Sequence, residues 1–336
     1  MLVAGFHLQL RRDRVDVVHC TFAPPPFASE YLFTMHCVSN LEHPEYYGRS
    51  KGFRLNLLQY RALKKAKEIL CVSSFVRYEL SANYGVPRDR TCVIYNGVDP
   101  KFRPPSDGQS FELLRTKYGI TKPYILYVGK LQSRKNIVRL IRAYSLFRQR
   151  SESDGRPADL QLVLAGKRTE ADAGIGDAMK ESRYSADILE IGYVASPSTS
   201  PTSDLPLLYQ GADMFAFLSL FEGFGIPLIE AMACGTPVLS SNFTSLPEVA
   251  GGAALLVDPL SVYDMATGMI TLHNDQELRR KLRDSGLARA RQFTWENCAM
   301  QTLNAYERYF NRRAVASPNE QAEMPAPVAE RRTISS

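Results

Sequence analysis

No apolar run in this chain approaches the roughly 18 to 20 residues needed to cross a bilayer, so no segment reads as a membrane span. In the opening MLVAGFHLQLRRDR the charges follow the apolar part and no small-residue cleavage site is present, so no signal peptide is expected. The six cysteines never fall as Cys-x-x-Cys or at any zinc-like spacing. Cys20, Cys37, Cys71, Cys92, Cys234 and Cys298 therefore read as reduced thiols of a cytoplasmic protein, several of them in apolar, strand-like runs. No Gly-x-Gly-x-x-Gly follows a strand, which disfavours a hydride-transferring dehydrogenase. No Asp-x-Asp is present to bridge a metal and a diphosphate, and neither a metal nor a cofactor is expected. Nucleic acid is not expected as a partner, because no basic cluster is interleaved with aromatics.

What is present suits a soluble globular protein of about two domains: 336 residues, 45% hydrophobic and 23% charged. The net charge of +6 is concentrated early, with 13 Lys and Arg against 8 Asp and Glu in residues 1–98. A basic first domain suits peripheral contact with the inner face of a membrane or with a phosphate-bearing acceptor, although a solvated helix face explains Lys51 to Lys67 as simply.

Short apolar runs alternate with amphipathic stretches along most of the chain. Runs near 15–20, 31–36, 69–72 and 92–95 are too short for helices and rich in Val, Ile and aromatics. Leu55, Leu58, Tyr60 and Leu63 recur at helical spacing, and another helix is expected after Ser74. Asn96-Gly97, Pro100 and Pro104 to Gly108 mark an interdomain connection. Strands are then expected at Tyr124–Val128, Leu160–Ala165, Ile188–Ile191, Met214–Leu218, Pro237–Ser240 and Ala253–Val257, and helices near 275–291 and 294–312. The predicted architecture is α/β, two doubly wound Rossmann-like domains with parallel strands and crossover helices. Residues 1–98 are expected to form a first, partial domain, 99–293 a second, 294–312 a closing helix and 313–336 a disordered tail.

In such folds ligands sit at the carboxyl ends of the strands. After Met214–Leu218 comes FEGFGIPLIEAMACGTPVLSS. Gly223 and Gly225 flank Phe224, and Pro227 stands where a helix should begin, so the N–H groups of Phe224, Gly225 and Ile226 are expected to point at a phosphate. Glu222 and Glu230 each offer two acceptor oxygens, suited to the vicinal hydroxyls of a ribose or a sugar ring. The bland alternative makes Glu222 a helix cap and Glu230 an exposed helix residue. After Tyr124–Val128, Gly129 ends a strand, and Lys130, Arg134 and Lys135 precede a helix beginning near Asn136. Cations there oppose the helix dipole, which implies a compensating anion; a diphosphate leaving group needs about two positive charges. Gly166-Lys167-Arg168 and Gly192-Tyr193-Val194 are candidates for the wall beside a nucleotide base.

These segments resemble the retaining glycosyltransferases of the GT-B fold, family four. VGKLQSRKN is similar to that family's strand-Gly-Arg-x(n)-Lys segment, and Glu222 to Glu230 to its E-x7-E segment. VSSFVRYEL, VIYNGVDPKF and the stretch from Thr244 to Gly251 add to the likeness, and HPEYYGR resembles bacterial mannosyltransferases that build surface polysaccharides. The resemblance spans about Asp16 to Phe310. It implies metal-independent transfer of a hexosyl unit, with retention, from a UDP-, GDP- or ADP-sugar to a glycan or lipid-linked acceptor. It further implies that Lys130 and Lys135 bind the diphosphate, Glu230 the ribose and Glu222 a hydroxyl of the transferred sugar. Backbone N–H groups at Phe224, Gly225 and Ile226 complete the phosphate site, and His36 reaches the donor sugar.

Three departures stand out. Lys130 replaces an Arg, keeping charge but losing the bidentate fork. Cys37 replaces the Asp of a His-Asp pair. The Asp16–His19 segment arrives without the βα units and glycine-rich loop that precede it in the family, so the first domain is expected to be truncated, with an apolar sheet edge to cover. The alternative reading is therefore a nucleotide-sugar-binding pseudo-enzyme, or a fragment needing a separate N-terminal part; an epimerase or phosphorylase on the same fold is a further rival.

Overall fold

The computed structural model describes residues 12–13, 15–21, 31–44, 49–168 and 174–316. The expectation of missing N-terminal units concerns chain around residues 1–11, and most of HPEYYGR falls at 45–48; both lie outside the described residues.

The first sheet has the order β1-β2-β3-β4, with β1 at His19–Cys20, β2 at Leu32–Met35, β3 at Glu68–Cys71 and β4 at Thr91–Val93. Every pairing in it is parallel. The second sheet comprises β5 (Tyr124–Val128), β6 (Gln161–Ala165), β7 (Ile188–Gly192), β8 (Met214–Phe217), β9 (Val238–Ser241) and β10 (Leu255–Val257). Its order is β10-β9-β8-β5-β6-β7, again all parallel. The protein is thus two parallel-sheet α/β units, and the strand order reverses in the second, between β5 and β8. Strands β6, β8 and β9 are buried along their whole length, as a sheet covered by helices on both faces requires.

Helix Ile137–Ser153 shows how the covering works. Ile137, Leu140, Ile141, Tyr144 and Phe147 recur every three or four residues and are buried, while Arg139, Arg142 and Arg150 take the other side. The last helix, Trp295–Ala316, leaves the second domain and packs back on the first. Its Ala305 and Tyr309 join Leu32, Leu70 and Ile94 in a small second core, and Arg308 pairs with buried Glu68 at 2.6 Å. Helix continues to Ala316, past residue 312 where apolar periodicity ends, because extending a helix already nucleated by packing costs little. Residues 317–336 of the expected tail lie outside the described residues.

Two chain crossings join the domains side by side. Val98 N–H donates to Phe293 O at 3.1 Å, and a Cβ on Gly97 would collide with the backbone of Trp295. In the second sheet the chain steps outward from β5 through β6 to β7, then returns to lay β8 on the opposite side of β5. That reversal leaves the loops after β5 and β8 adjacent at the carboxyl ends of their strands.

Candidate functional site

The loop after β5 turns through a single 3-10 turn, Ser133–Lys135, and then Asn136 adopts a left-handed conformation at φ 63° before the helix begins at Ile137. Asn tolerates that backbone because its short amide can bond locally. Here Asn136 is buried, and its Nδ2 donates to Leu218 O at 3.0 Å and Pro259 O at 2.7 Å. Leu220 N–H donates to Arg134 O at 2.9 Å. These bonds lash the loop after β5 to the loops after β8 and β10.

The lashing brings Arg134, Lys135 and Glu222 together. Lys135 Nζ contacts Glu222 Oε1, Arg134 Nη1 lies 3.3 Å from Glu222 Oε2, and Arg134 also donates to Phe221 O. All three side chains are largely shielded from solvent. Burial pushes the Lys135 ammonium below its ordinary pKa, with Arg134 adding to the effect and Glu222 opposing it. For Glu222, burial works to raise the carboxyl, but Lys135 and Arg134 together outweigh it and hold the group below its ordinary value. The anion inferred from the crowded cations is thus supplied, in this structure, by Glu222 itself. Glu222 does not cap the following helix, which has no side-chain cap, so the bland reading of it fails.

Lys130 is not part of this cluster; its side chain is exposed and its carbonyl accepts from Tyr127 Oη at 3.1 Å. Glu230 also stands apart. It lies in helix Ile226–Ala233, is buried rather than exposed, and accepts from Tyr209 Oη at 2.9 Å. Burial raises its carboxyl to about 7, with the Asp99 charge adding and the Tyr209 hydrogen bond opposing. Two carboxylates eight residues apart are therefore driven in opposite directions by their surroundings.

Gly225 caps helix Ile226–Ala233 in a left-handed conformation at φ 101°, with Pro227 in the first turn. Phe224 and Gly225 are buried and Ile226 sits at the surface. Gly223, expected to admit a phosphate, answers to a different neighbour: a Cβ there would overlap the carbonyl oxygen of His36 in the first domain. His36 directly follows β2 and is exposed at this contact, although the surrounding protein desolvates its ring enough to hold the imidazole below its ordinary pKa. Cys37 bonds Ser39, its Sγ 3.0 Å from Oγ.

Gly129 N–H donates to Ala165 O, and Gly166 N–H to Gly192 O at 2.8 Å, so the loops after β5, β6 and β7 meet. A Cβ on Gly166 would overlap Gly129 O, which makes Gly166 a packing requirement. Tyr193 is 69% exposed and Val194 half-buried beside it. Arg168 forms a two-pronged pair with Glu190, Nε donating to Oε1 at 3.0 Å and Nη2 to Oε2 at 2.6 Å.

Sequence reasoning missed several contributors. Thr244, at φ 57°, accepts from Glu222 N–H at 3.1 Å, and Ser245 Oγ reaches the carbonyls of Glu222 and Phe224 at 3.0 and 3.2 Å. Ser73, the cap of helix Ser74–Tyr84, donates to Gly223 O at 2.7 Å. Tyr95, Phe224 and Phe293 stack edge-on or tilted at 5.6 to 6.0 Å between the site and the crossing. The motif likenesses cover Ser73, Tyr95 and Thr244 to Gly251, and Phe224 is a candidate backbone donor, but nothing in the sequence pairs these residues with one another.

Residues 110–289 match the family Glycosyl transferases group 1, and residues 2–102 match Glycosyltransferase Family 4. The chain is 35% identical to the O-antigen chain mannosyltransferase B of Escherichia coli over 298 residues, covering 88% of this chain and 75% of that protein. In fold it is similar to a sucrose-phosphate synthase from Thermosynechococcus elongatus, with a TM-score of 0.73, 21% identity, and coverage of 93% of this chain and 78% of that one. It is also similar to Anabaena Alr3699/HepE in complex with UDP, with a TM-score of 0.67, 20% identity, and coverage of 83% and 72%. A buried cluster of two cations and a carboxylate at the switch point of a GT-B fold, in a chain matching this family over more than half its length, leads to one conclusion: the protein belongs to the glycosyl transferases group 1 and is a glycosyltransferase.

Proposed function

We propose that the chain transfers a mannosyl unit, with retention and without a metal ion, from a nucleotide-diphosphate donor to a hydroxyl of a growing surface polysaccharide. The observation that carries the chemistry is the buried Arg134–Lys135–Glu222 cluster at the switch point between β5 and β8. The choice of mannose rests on the 35% identity to a mannosyltransferase.

In this reading an arriving diphosphate competes with Glu222 for Lys135 and Arg134. The cations then offset the charge that builds on the leaving group, and Lys130 joins them from the surface. The released Glu222 oxygens accept a hydroxyl of the sugar, and Glu230, ionised, accepts the ribose diol. N–H groups at Phe224, Gly225 and Ile226 hold the phosphates at a helix start with no side-chain cap, and Gly129, Tyr193 and Val194 line the nucleotide end. His36 faces the sugar from the first domain. The bond from the anomeric carbon to the diphosphate breaks as the acceptor oxygen bonds on the same face, and the acceptor proton passes to the departing phosphate oxygen. The protein contributes orientation, charge and exclusion of water. The basic first domain supports work at the inner, cytoplasmic face of a membrane; among the described residues no helix is long and apolar enough to cross one.

The test is to incubate the chain with GDP-, UDP- and ADP-activated sugars and short mannose oligomers. The product should gain one mannose in the anomeric configuration of the donor. Transfer of a different sugar, or an inverted product, contradicts the proposal.

A further inference from the structure

One segment of five residues touches both the donor loop and the opposite domain. At its start Thr244, a β-branched residue held at φ 57°, accepts from Glu222 N–H, and Ser245 reaches the carbonyls on either side of Gly223. A β-branched side chain in the left-handed region is costly and persists only where its surroundings impose it. At the segment's end Glu248 extends across the cleft. Its Oε1 accepts from Ser74 N–H at 2.7 Å and from Tyr95 Oη at 2.8 Å, and its Oε2 accepts from Phe75 N–H at 2.9 Å. Ser74 and Phe75 open helix Ser74–Tyr84 of the first domain, so an ionised carboxylate meets the positive end of that helix with charge-assisted bonds. From behind, Arg289 donates to the carbonyls of Glu248 and Val249 at 2.8 and 3.0 Å, fixing the short helix Leu246–Ala250 to the second domain.

We propose that Glu248 is a positioning residue for sugar transfer: it registers the first domain against the second and, through Ser245 and Thr244, couples that registry to the backbone of Glu222. It touches neither donor nor reacting atoms. Because Ser245 and Glu248 lie one helical turn apart on a rigid segment, a shift of helix Ser74–Tyr84 is felt at the Glu222–Phe224 loop. The same closure sets the Ser73 bond to Gly223 and the His36 contact with it. The inference rests on the proposed transfer only for its kinetic consequence.

The test uses the full chain with Glu248→Gln, which keeps size but presents an NH2 to one of the two amides, together with Glu248→Asp and Tyr95→Phe. Spectroscopic labels on unnatural amino acids at exposed Asp89 and exposed Ser185 report the distance between the domains without using the six native cysteines. Glu248→Gln is expected to lengthen or broaden that distance and to lower kcat at least tenfold, with nucleotide-diphosphate affinity within twofold of wild type. Glu248→Asp should recover part of the loss, and Tyr95→Phe, which removes one hydroxyl and keeps the fold, should show a smaller loss of the same kind. If wild type transfers none of the sugars offered, the transfer reading fails, while the distance measurement still decides the registry. An unchanged distance in Glu248→Gln overturns the inference. So does a loss of nucleotide affinity as large as the loss of rate, since that would place the effect in the donor site alone.

Discussion

Glu230 combines the proposed ribose contact with a cost in stability, and replacing it by Gln separates the two. Its carboxyl is raised from 4.5 to about 7 by burial, with Asp99 adding to the effect. At about 1.4 kcal/mol per pH unit, that shift corresponds to about 3 kcal/mol. The native carboxyl keeps its proton up to about pH 7, whereas the unfolded one loses it near 4.5. Between those values the native state binds more protons, so this group's contribution is present below about 4.5 and lost as pH rises through about 7. A glutamine does not titrate, and its amide oxygen can still accept from Tyr209. Glu230→Gln should therefore be nearly neutral at pH 5 and gain about 2 to 3 kcal/mol over wild type by pH 8, roughly 5 to 10 °C in the melting of the second domain. The same variant should bind nucleotide more weakly, because an amide offers one acceptor oxygen where the carboxylate offers two. Denaturant titrations of both proteins at pH 5 and pH 8 decide the matter. A difference in stability that is the same at both pH values would show that Glu230 is not strained by burial.

Further outcomes follow from the same geometry. Nucleotide affinity of the wild type should weaken below about pH 7, and more steeply than that of Glu230→Gln, which keeps only the titration of the ligand's terminal phosphate at about pH 6; calorimetry across pH 5.5 to 8.5 reads the difference. Lys135→Ala removes the cation in contact with Glu222 and should lower turnover about 100-fold, with a stability loss of about 3 kcal/mol because Glu222 keeps only Arg134, at 3.3 Å. Gly223→Ala places a methyl group on the His36 carbonyl, so the domains cannot approach as they do here. Transfer should fall at least tenfold in that variant while nucleotide still binds; wild-type kinetics would show that the close approach is not needed.

Much of the fold is legible in the sequence because the information is local. Runs such as Tyr124–Val128 and Met214–Phe217 are strand-length, apolar and separated by helical periodicity, and each falls where the pattern places it. Short strands are less legible: β1 occupies only His19–Cys20 of an apolar stretch that begins four residues earlier, since pairing with β2 rather than apolarity decides its length. At the site, residue types and loops are readable, but partners are not. Lys135 and Glu222 are 87 residues apart, and no periodicity says that they pair. Asn136 looks like a helix start, yet its side chain braces two other loops. Gly223 is singled out in the sequence for a close approach, and the neighbour that needs it in the folded chain, the His36 carbonyl, is 187 residues away and invisible to local pattern. The Thr244 to Glu248 segment resembles a family motif, but its two-sided contacts exist only once both domains are folded.

The most direct test of the central claim is calorimetric titration of the chain with UDP, GDP and ADP, repeated with Lys135→Ala. Saturable binding of one nucleotide diphosphate, weakened at least tenfold in the variant, is the predicted result. A folded chain that binds none of the three, or one whose affinity is unaffected by loss of Lys135, would contradict the assignment of the Arg134–Lys135–Glu222 cluster as the diphosphate site.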